Sequence, residues 1–210
     1  MLFRSLAVPR LAEGLLSLSG NAAFDALDTG GTYDDVDAVI ASRDRTVGWL
    51  DRGKHHAQLS WALMTKAQAL PPEAGGPLFE RAVAEAERAI AQAPAYGFAW
   101  HQLAHVLMAR DGPSQRVADA ELSSIAVGPY ENELVLPRLD ILFAVRSYID
   151  QRYDDVIDSQ ARVAWKRDHL EVVRLVRRNG AADILRRALA REPSMLPSDF
   201  DFAISDPNIL

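Results

Sequence analysis

Two histidines four residues apart are the first feature of this chain that could do chemistry. They are His101 and His105, in the stretch GFAWHQLAHVL from Gly97 to Leu107. Four residues are about one helical turn, so both imidazoles would lie on one side of a helix and could bind a zinc ion together. The same stretch has a tryptophan, leucines and a small residue at the spacing of a packing helix. The pattern therefore leaves two hypotheses, a metal site or a helix that packs against others.

The zinc hypothesis lacks the other groups that catalysis needs. Helical zinc peptidases use H-E-x-x-H with the glutamate as general base, but the second position here is Gln102. No third ligand is signalled nearby, and the chain has no cysteine, which excludes thiolate ligands, cysteine nucleophiles and disulfides. The sequence predicts no enzyme, no bound metal and no cofactor. A metal-dependent hydrolase that uses His101 and His105 stays as the alternative.

Composition and charge are those of an ordinary globular protein. The chain has 210 residues, of which 49% are hydrophobic and 25% charged, and its formal net charge is −6. A negative chain repels nucleic-acid phosphates, so the sequence predicts no nucleic-acid partner.

The charge is nevertheless uneven along the chain. Residues 166–191 contain eight basic and three acidic side chains, which gives a net charge of +5. Within this segment Arg174, Arg177 and Arg178 share one side of a helix whose other side carries valines. This pattern is typical of a solvated helix face. It is also consistent with a basic patch that binds an acidic partner, an anionic polymer or lipid headgroups.

The N-terminal segment is apolar but interrupted. Arg4, Pro9, Arg10 and Glu13 break it up, and no run in the chain reaches the roughly 18 apolar residues of a membrane span. The pattern favours a helix that packs on the rest of the protein, while attachment of residues 1–20 to a membrane surface stays open. Localisation is left open as well, with a slight preference for a cytoplasmic or membrane-peripheral protein.

Apolar residues recur at intervals of three and four along most of the chain, which predicts an all-α fold. The stretch LPPEAGGP, Leu70 to Pro77, is predicted to be a loop because prolines and glycines cluster there. His55 and His56 are predicted to be solvated at a helix start. Asn179 and Gly180 are predicted to end the basic helix, with the glycine as its C-cap.

A short pattern recurs at the ends of several predicted helices. ERAIAQAP ends at Pro94, LSSIAVGP at Pro129 and RRALAREP at Pro193. Each has a large aliphatic residue, an alanine, and a proline three residues after it. The first two prolines are 35 residues apart, a spacing typical of a helical repeat.

On these residues the chain resembles the tetratricopeptide-repeat family, whose repeat is a pair of antiparallel helices with the pattern W-x2-L-G-x2-Y. WHQLAHVL supplies Trp100, Leu103, Ala104 and Leu107, and WALMTKAQ supplies a weaker match that begins at Trp61. The resemblance implies an α-solenoid of about three hairpins over residues 55–168. A helical extension, residues 1–54, would precede them, and basic helices and a tail, residues 169–210, would follow.

The resemblance also implies where a ligand binds. In that family one stripe of the first helix of each repeat lines a concave groove. In this sequence the stripe consists of Phe98, His101, His105 and Met108. These four residues are expected to contact a protein or peptide segment.

A second resemblance concerns the turn GPYE, Gly128 to Glu131. The turn is followed by Arg138–Leu139 and by Ala164–Trp165. In this pattern the chain resembles small tetratricopeptide-type proteins of bacterial exopolysaccharide biosynthesis. The resemblance implies a non-catalytic scaffold or adaptor accessory to cell-envelope polysaccharide synthesis. A further alternative is a self-associating structural protein, in which the acidic and aromatic tail after Pro193 fills the groove of a neighbouring copy.

Overall fold

The computed structural model describes residues 4–27, 33–48 and 52–191, and all the regular secondary structure in them is helical. The all-α prediction is confirmed. The chain divides into two compact units, Met1–Gly112 and Pro113–Leu210. Among the described residues, none of the helices has both the length and the apolar character needed to cross a bilayer.

The described part of the first unit contains five α-helices. They are α1 (Arg4–Leu27), α2 (Tyr33–Val47), α3 (Gly53–Gln68), α4 (Pro72–Gln92) and α5 (Gly97–Asp111). Each helix packs on the next along the chain, and α5 also packs on α3.

Helix α1 packs against α2 through both polar and apolar contacts. Arg43 is fully buried and donates hydrogen bonds to the Ser17 carbonyl at 3.4 Å and to Asn21 Oδ1 at 2.6 Å. Phe24 of α1 meets Trp61 of α3 edge to face, with 5.3 Å between the ring centroids. The part of α1 from Ser17 to Phe24 is therefore held by the body of the unit, although the side chain of Leu18 remains exposed.

Helices α3 and α4 form a close antiparallel pair. A Cβ atom on Gly53, at the start of α3, would lie 2.7 Å from the carbonyl oxygen of Ala89, near the end of α4. At the opposite end, a Cβ atom on Gly75 would lie 2.7 Å from the carbonyl oxygen of Ala67. Only glycine fits at either position, because the obstructing atoms belong to the backbone.

The predicted loop over Leu70 to Pro77 is wrong for most of its length. Helix α4 begins at Pro72 and contains both glycines of that stretch as well as Pro77. Proline is well suited to the first helical position, since its missing N–H has no partner there in any helix. The tight contact of Gly75 with α3 explains why a glycine is helical here.

The prediction that His55 and His56 are solvated is also wrong, since both are buried. His56 Nδ1 lies 2.5 Å from Glu85 Oε2 across the α3–α4 pair, and Arg88 donates to the other oxygen of Glu85 at 2.7 Å. Burial by itself raises the pKa of Glu85. The hydrogen bond to His56 and the charges of His56, Arg88 and Arg81 outweigh it, so the pKa of Glu85 lies below its usual value.

The described part of the second unit also contains five α-helices. They are α6 (Gln115–Val127), α7 (Val135–Ala144), α8 (Asp154–Arg167), α9 (His169–Asn179) and α10 (Ala182–Ala190). Short 3-10 turns lie at Asn132–Leu134, Arg146–Tyr148 and Gln151–Tyr153. Helix α7 packs on α6, α8 and α9, and α10 packs on α8. Gly180 is left-handed, with φ of 63°, and caps α9, as the sequence predicts.

The division after Gly112 falls inside the repeat that the sequence predicts around Trp100, between α5 and α6. The predicted segments 1–54, 55–168 and 169–210 follow the repeat pattern and stay a prediction. The arrangement of the helices as a solenoid of tetratricopeptide type stays a prediction too.

Candidate functional site

A cavity of about 390 Å³ lies between α6 and α8 in the second unit. We call it the α6–α8 groove. Its polar lining residues are Asp155, Ser159 and Gln160. Its walls are otherwise apolar, formed by Leu122, Ile125, Ala126, Pro129, Tyr153 and Val156.

The end of α6 and two short side chains explain why a gap remains between α6 and α8. Ser114 caps α6, and its Oγ accepts a hydrogen bond from the Val117 N–H at 3.4 Å. The helix stops before Gly128 and Pro129, because proline has no N–H with which to continue it. On the facing walls Ala126 and Ser159 have short side chains, which leave the space unfilled.

Gln160 is the most unusual residue of the groove. Its side chain is 1% exposed, and its Nε2 donates a hydrogen bond to the Pro129 carbonyl at 3.0 Å. Its Oε1 is buried and has no hydrogen-bond partner among the described residues. A buried acceptor without a donor costs about 1–3 kcal/mol. A hydrogen-bond donor that reached this oxygen would recover that energy.

The turn beside the groove is held by a buried arginine. Arg138 is fully buried and donates to the Ser124 Oγ at 3.0 Å, to the Ser124 carbonyl at 3.0 Å and to the Gly128 carbonyl at 2.6 Å. Burial lowers the pKa of Arg138, and the carboxylates of Glu121 and Glu131 oppose that shift. The C-terminal end of α6 and the turn that follows are thus fixed before any ligand arrives.

Two charged side chains, Asp155 and Arg152, lie at or next to the groove near the start of α8. Asp155 is exposed and accepts a hydrogen bond from Arg191 at 2.5 Å. The guanidinium of Arg152 lies 4.9 Å from the centre of the Tyr153 ring, in a cation–π arrangement. Tyr130, in the adjacent turn, is 75% exposed.

The four residues predicted to line a repeat groove are on α5, in the first unit. The rings of His101 and His105 are neighbours, with centroids 5.9 Å apart. His101 is only 4% exposed, whereas Phe98, His105 and Met108 are half-buried. Three of the four side chains therefore reach the surface, and their role in binding stays a prediction.

Several side chains of α5 pack inside the first unit. Leu103, Ala104 and Leu107 are buried, and Gln102 reaches the Ser60 hydroxyl of α3 at 3.4 Å. Within the described residues, no group of three or more His, Asp or Glu side chains is placed to hold a metal ion.

The predicted basic patch on α9 is partly neutralised. Arg174 pairs with Glu171 of the same helix at 2.9 Å, and Arg178 pairs with Asp140 of α7 at 2.7 Å. The hydrogen bond and charge of Asp140 raise the pKa of Arg178. Arg177 is half-buried. The patch is therefore less positive than the sequence alone suggests, and its partner stays a prediction.

Some residues of the groove belong to a pattern that is visible in the sequence, although that pattern does not indicate a site. Ile125, Ala126 and Pro129 belong to the recurring aliphatic-alanine-proline pattern. Gln160 carries no sequence signal, because an interior glutamine of an amphipathic helix is unremarkable until its neighbours are known.

Comparisons with protein-family models, curated proteins and solved structures found no match for this chain.

Proposed function

We propose that this protein is a non-catalytic scaffold or adaptor that binds a peptide segment of a partner protein in the α6–α8 groove. One observation carries the proposal: an apolar cavity of about 390 Å³ lined in part by Gln160, whose buried amide oxygen has no partner among the described residues. The volume lies within the roughly 300–1,000 Å³ range of ligand pockets.

The chemistry of the groove fits a peptide better than a purely apolar molecule. Its walls favour one large apolar side chain, whose burial contributes about 1.5–3 kcal/mol. The Gln160 oxygen needs an N–H donor, which a peptide backbone supplies beside every side chain. Arg138 fixes the adjacent turn in advance, which lowers the ordering cost of binding.

Two further contact surfaces belong to the proposal. Phe98, His105 and Met108 of α5 offer a half-buried stripe to a protein segment, with His101 beneath the surface. Arg174, Arg177 and Arg178 offer a weaker electrostatic site for an acidic partner. The close α3–α4 pair and the packing of α7 on α8 support a repeat of tetratricopeptide type as the framework.

We propose the cell-envelope or exopolysaccharide setting on the resemblance around the GPYE turn alone. The structure gives those residues a packing role: Arg138 holds the turn, and Leu139, Ala164 and Trp165 are buried. This supports a shared local fold with the proteins of that resemblance.

The test is a binding selection against the full chain with a displayed peptide library, followed by calorimetry on the selected peptides. Ala126 is exposed and lines the groove, so Ala126→Trp should fill it without unfolding α6. We expect this variant to lose at least about tenfold in affinity, in line with one lost apolar anchor.

The matched control is Val127→Trp. Val127 is the next residue of α6, is 41% exposed and does not line the groove, so this variant should bind like the parent. If no peptide is selected, or if both variants bind equally well, the groove is not the binding site.

A further inference from the structure

We propose that Asn179, the last residue of α9, is a site of spontaneous deamidation whose rate is set by its hydrogen bond to Asp140 of α7. The reaction converts the side-chain amide of an asparagine into a carboxylate and needs no enzyme. Asn179 and Asp140 are not among the residues that line the α6–α8 groove, so this inference goes beyond the proposed function.

The first observation is the dipeptide formed by Asn179 and Gly180. The chain contains four asparagines, and only Asn179 is followed by glycine. Deamidation starts when the backbone nitrogen of the following residue attacks the side-chain carbonyl carbon of the asparagine. Glycine hinders this attack least, because it has no Cβ atom. Gly180 is exposed and Asn179 is half-buried, so water and hydroxide reach the reacting atoms.

The reaction consumes water and releases ammonia without any oxidation or reduction. The Gly180 nitrogen loses its proton to hydroxide and forms a bond to Cγ of Asn179. The bond from Cγ to Nδ2 then breaks, and Nδ2 leaves as ammonia with a proton taken from water. Water next opens the succinimide ring that has formed. Cleavage of the new bond to Cγ gives an aspartate, whereas cleavage of the original peptide bond gives an isoaspartate.

The second observation is that the fold engages both reacting groups. Asn179 Nδ2 donates to Asp140 Oδ1 at 2.9 Å and to the Leu175 carbonyl at 3.0 Å. The Gly180 N–H is hydrogen-bonded to carbonyls of the preceding turn of α9. Ring closure requires the glycine nitrogen to lose its proton and the carboxamide to turn toward it, so these hydrogen bonds must break. The reaction therefore runs during local opening of the end of α9, which Asp140 opposes by tying Asn179 to α7.

The third observation is the set of groups that the product would face. A carboxylate has no N–H, so Asp140 and the Leu175 carbonyl would meet an acceptor in place of a donor. A negative charge at the C-terminal end of a helix is also unfavourable. Arg178, 2.7 Å from the other oxygen of Asp140, supplies one positive charge for the two carboxylates. Deamidation would therefore loosen α9 from α7 and make the basic patch of α9 less positive.

The first experiment follows deamidation of the full chain by peptide mapping with mass spectrometry, during incubation at neutral and mildly alkaline pH. Replacement of the amide by a hydroxyl raises the mass of the peptide that contains Asn179. We expect this peptide to react faster than those that contain Asn21, Asn132 and Asn208, and its rate to increase with pH. Asn179→Gln should abolish the mass gain of that peptide, because a glutamine must close a larger and less favourable ring.

Asp140→Ala tests whether the hydrogen bond sets the rate. Without its acceptor on α7 the carboxamide is released, and we expect Asn179 to react at least several-fold faster. The matched control is Arg178→Met, which removes the ion pair of Asp140 with α9 but leaves Asn179 its acceptor. Its rate should stay close to that of the parent. Circular dichroism checks that both variants are folded at the incubation temperature.

Urea unfolding tests the consequence of deamidation for the fold. Asn179→Asp has the charge of the deamidated chain, whereas Asn179→Ala loses the same hydrogen bonds without adding a charge. We expect the aspartate variant to unfold at a lower urea concentration than the alanine variant. The difference should narrow as salt is added, because salt screens the repulsion from Asp140.

Three results would overturn the inference. In the first, Asn179 of the folded chain reacts no faster than the other asparagines. In the second, Asp140→Ala leaves the rate unchanged, or Arg178→Met raises it by the same factor. In the third, the aspartate and alanine variants unfold alike at every salt concentration, so that the product does not loosen α9 from α7.

Discussion

The α3–α4 pair and the α6–α8 groove are both built from small residues, yet one is closed and the other open. In the α3–α4 pair, Gly53 and Gly75 face the backbone of the opposite helix and bring the two helices together at both ends. In the α6–α8 groove, Ala126 and Ser159 face a cavity of about 390 Å³.

The difference shows that a small residue does not by itself produce close packing. Close approach needs a partner backbone in the position that a side chain would have taken, as at Gly53. Where the chain instead turns away, as it does at Pro129 after α6, the same small size leaves a gap. A buried arginine keeps the gap open by fixing the turn, while buried His56 and Glu85 join the closed pair.

The largest expected effect is that of removing Arg138. Arg138→Met deletes three hydrogen bonds and removes the guanidinium that lies 4.0 Å from the carboxylate of buried Glu121. Loss of one partner of a buried ionic group costs about 3–5 kcal/mol. Urea unfolding followed by circular dichroism should show this loss, and groove binding should fall with it.

The control for Arg138 is Arg174→Met. Arg174 pairs with Glu171 on the surface of α9, and such exposed pairs contribute about 0–1 kcal/mol. If the two arginine variants unfold at the same urea concentration, Arg138 does not hold the turn in the way described.

A smaller effect is expected from Gly53→Ala, which tests the close packing of α3 against α4. The added methyl would collide with the Ala89 carbonyl and with Ala93, so α3 and α4 must separate. Overpacking of this kind costs about 1–3 kcal/mol. Thermal or urea unfolding of the full chain measures it.

Gly76→Ala serves as the matched glycine control. Among the described residues, no atom outside the surrounding turn of helix lies within 4 Å of a Cβ built on Gly76, so this variant should be neutral or stabilised by up to about 1 kcal/mol, because alanine favours the helix. Equal destabilisation by the two substitutions would contradict close packing at Gly53.

The smallest effect is the acid sensitivity of the α3–α4 pair. Because the pKa of Glu85 is lowered in the folded state, its contribution is complete well above the unfolded-state pKa, about 4.3. It is lost as the pH falls through the lower folded-state value. Glu85→Gln should therefore cost about 1.5 kcal/mol at pH 7, and the difference from the parent should shrink toward pH 3. A constant difference between pH 7 and pH 3 would contradict the charged pair.

The sequence predicts the helices well and their packing poorly. Periodic apolar residues indicate α-helices throughout, and Gly180 ends α9 as expected. The prolines and glycines before Leu78 were misleading, because their local preference for a loop is outweighed by the contact of Gly75 with α3. The predicted exposure of His55 and His56 is wrong for a similar reason. Glu85, the partner that makes burial of His56 favourable, is 29 residues further along the chain.

The candidate site could be predicted only in part. The aliphatic-alanine-proline pattern marks where α6 ends, and three of its residues line the groove. Nothing in the sequence shows that Gln160 reaches the Pro129 carbonyl, since that hydrogen bond joins residues 31 positions apart. Similarly, His101 and His105 have the spacing of a shared face, but the burial of His101 depends on packing that spacing does not specify.

The two glycine contacts of α3 and α4 also fix the axial register of that pair. If α4 slid along its axis by one turn, about 5.4 Å, Gly75 would leave the Ala67 carbonyl, and Pro71 or Phe79, four residues to either side, would take its place. Neither ring fits where a methyl group does not, and the same slip would disturb the opposite end at Gly53. The hairpin therefore resists sliding in both directions and should move as one rigid piece.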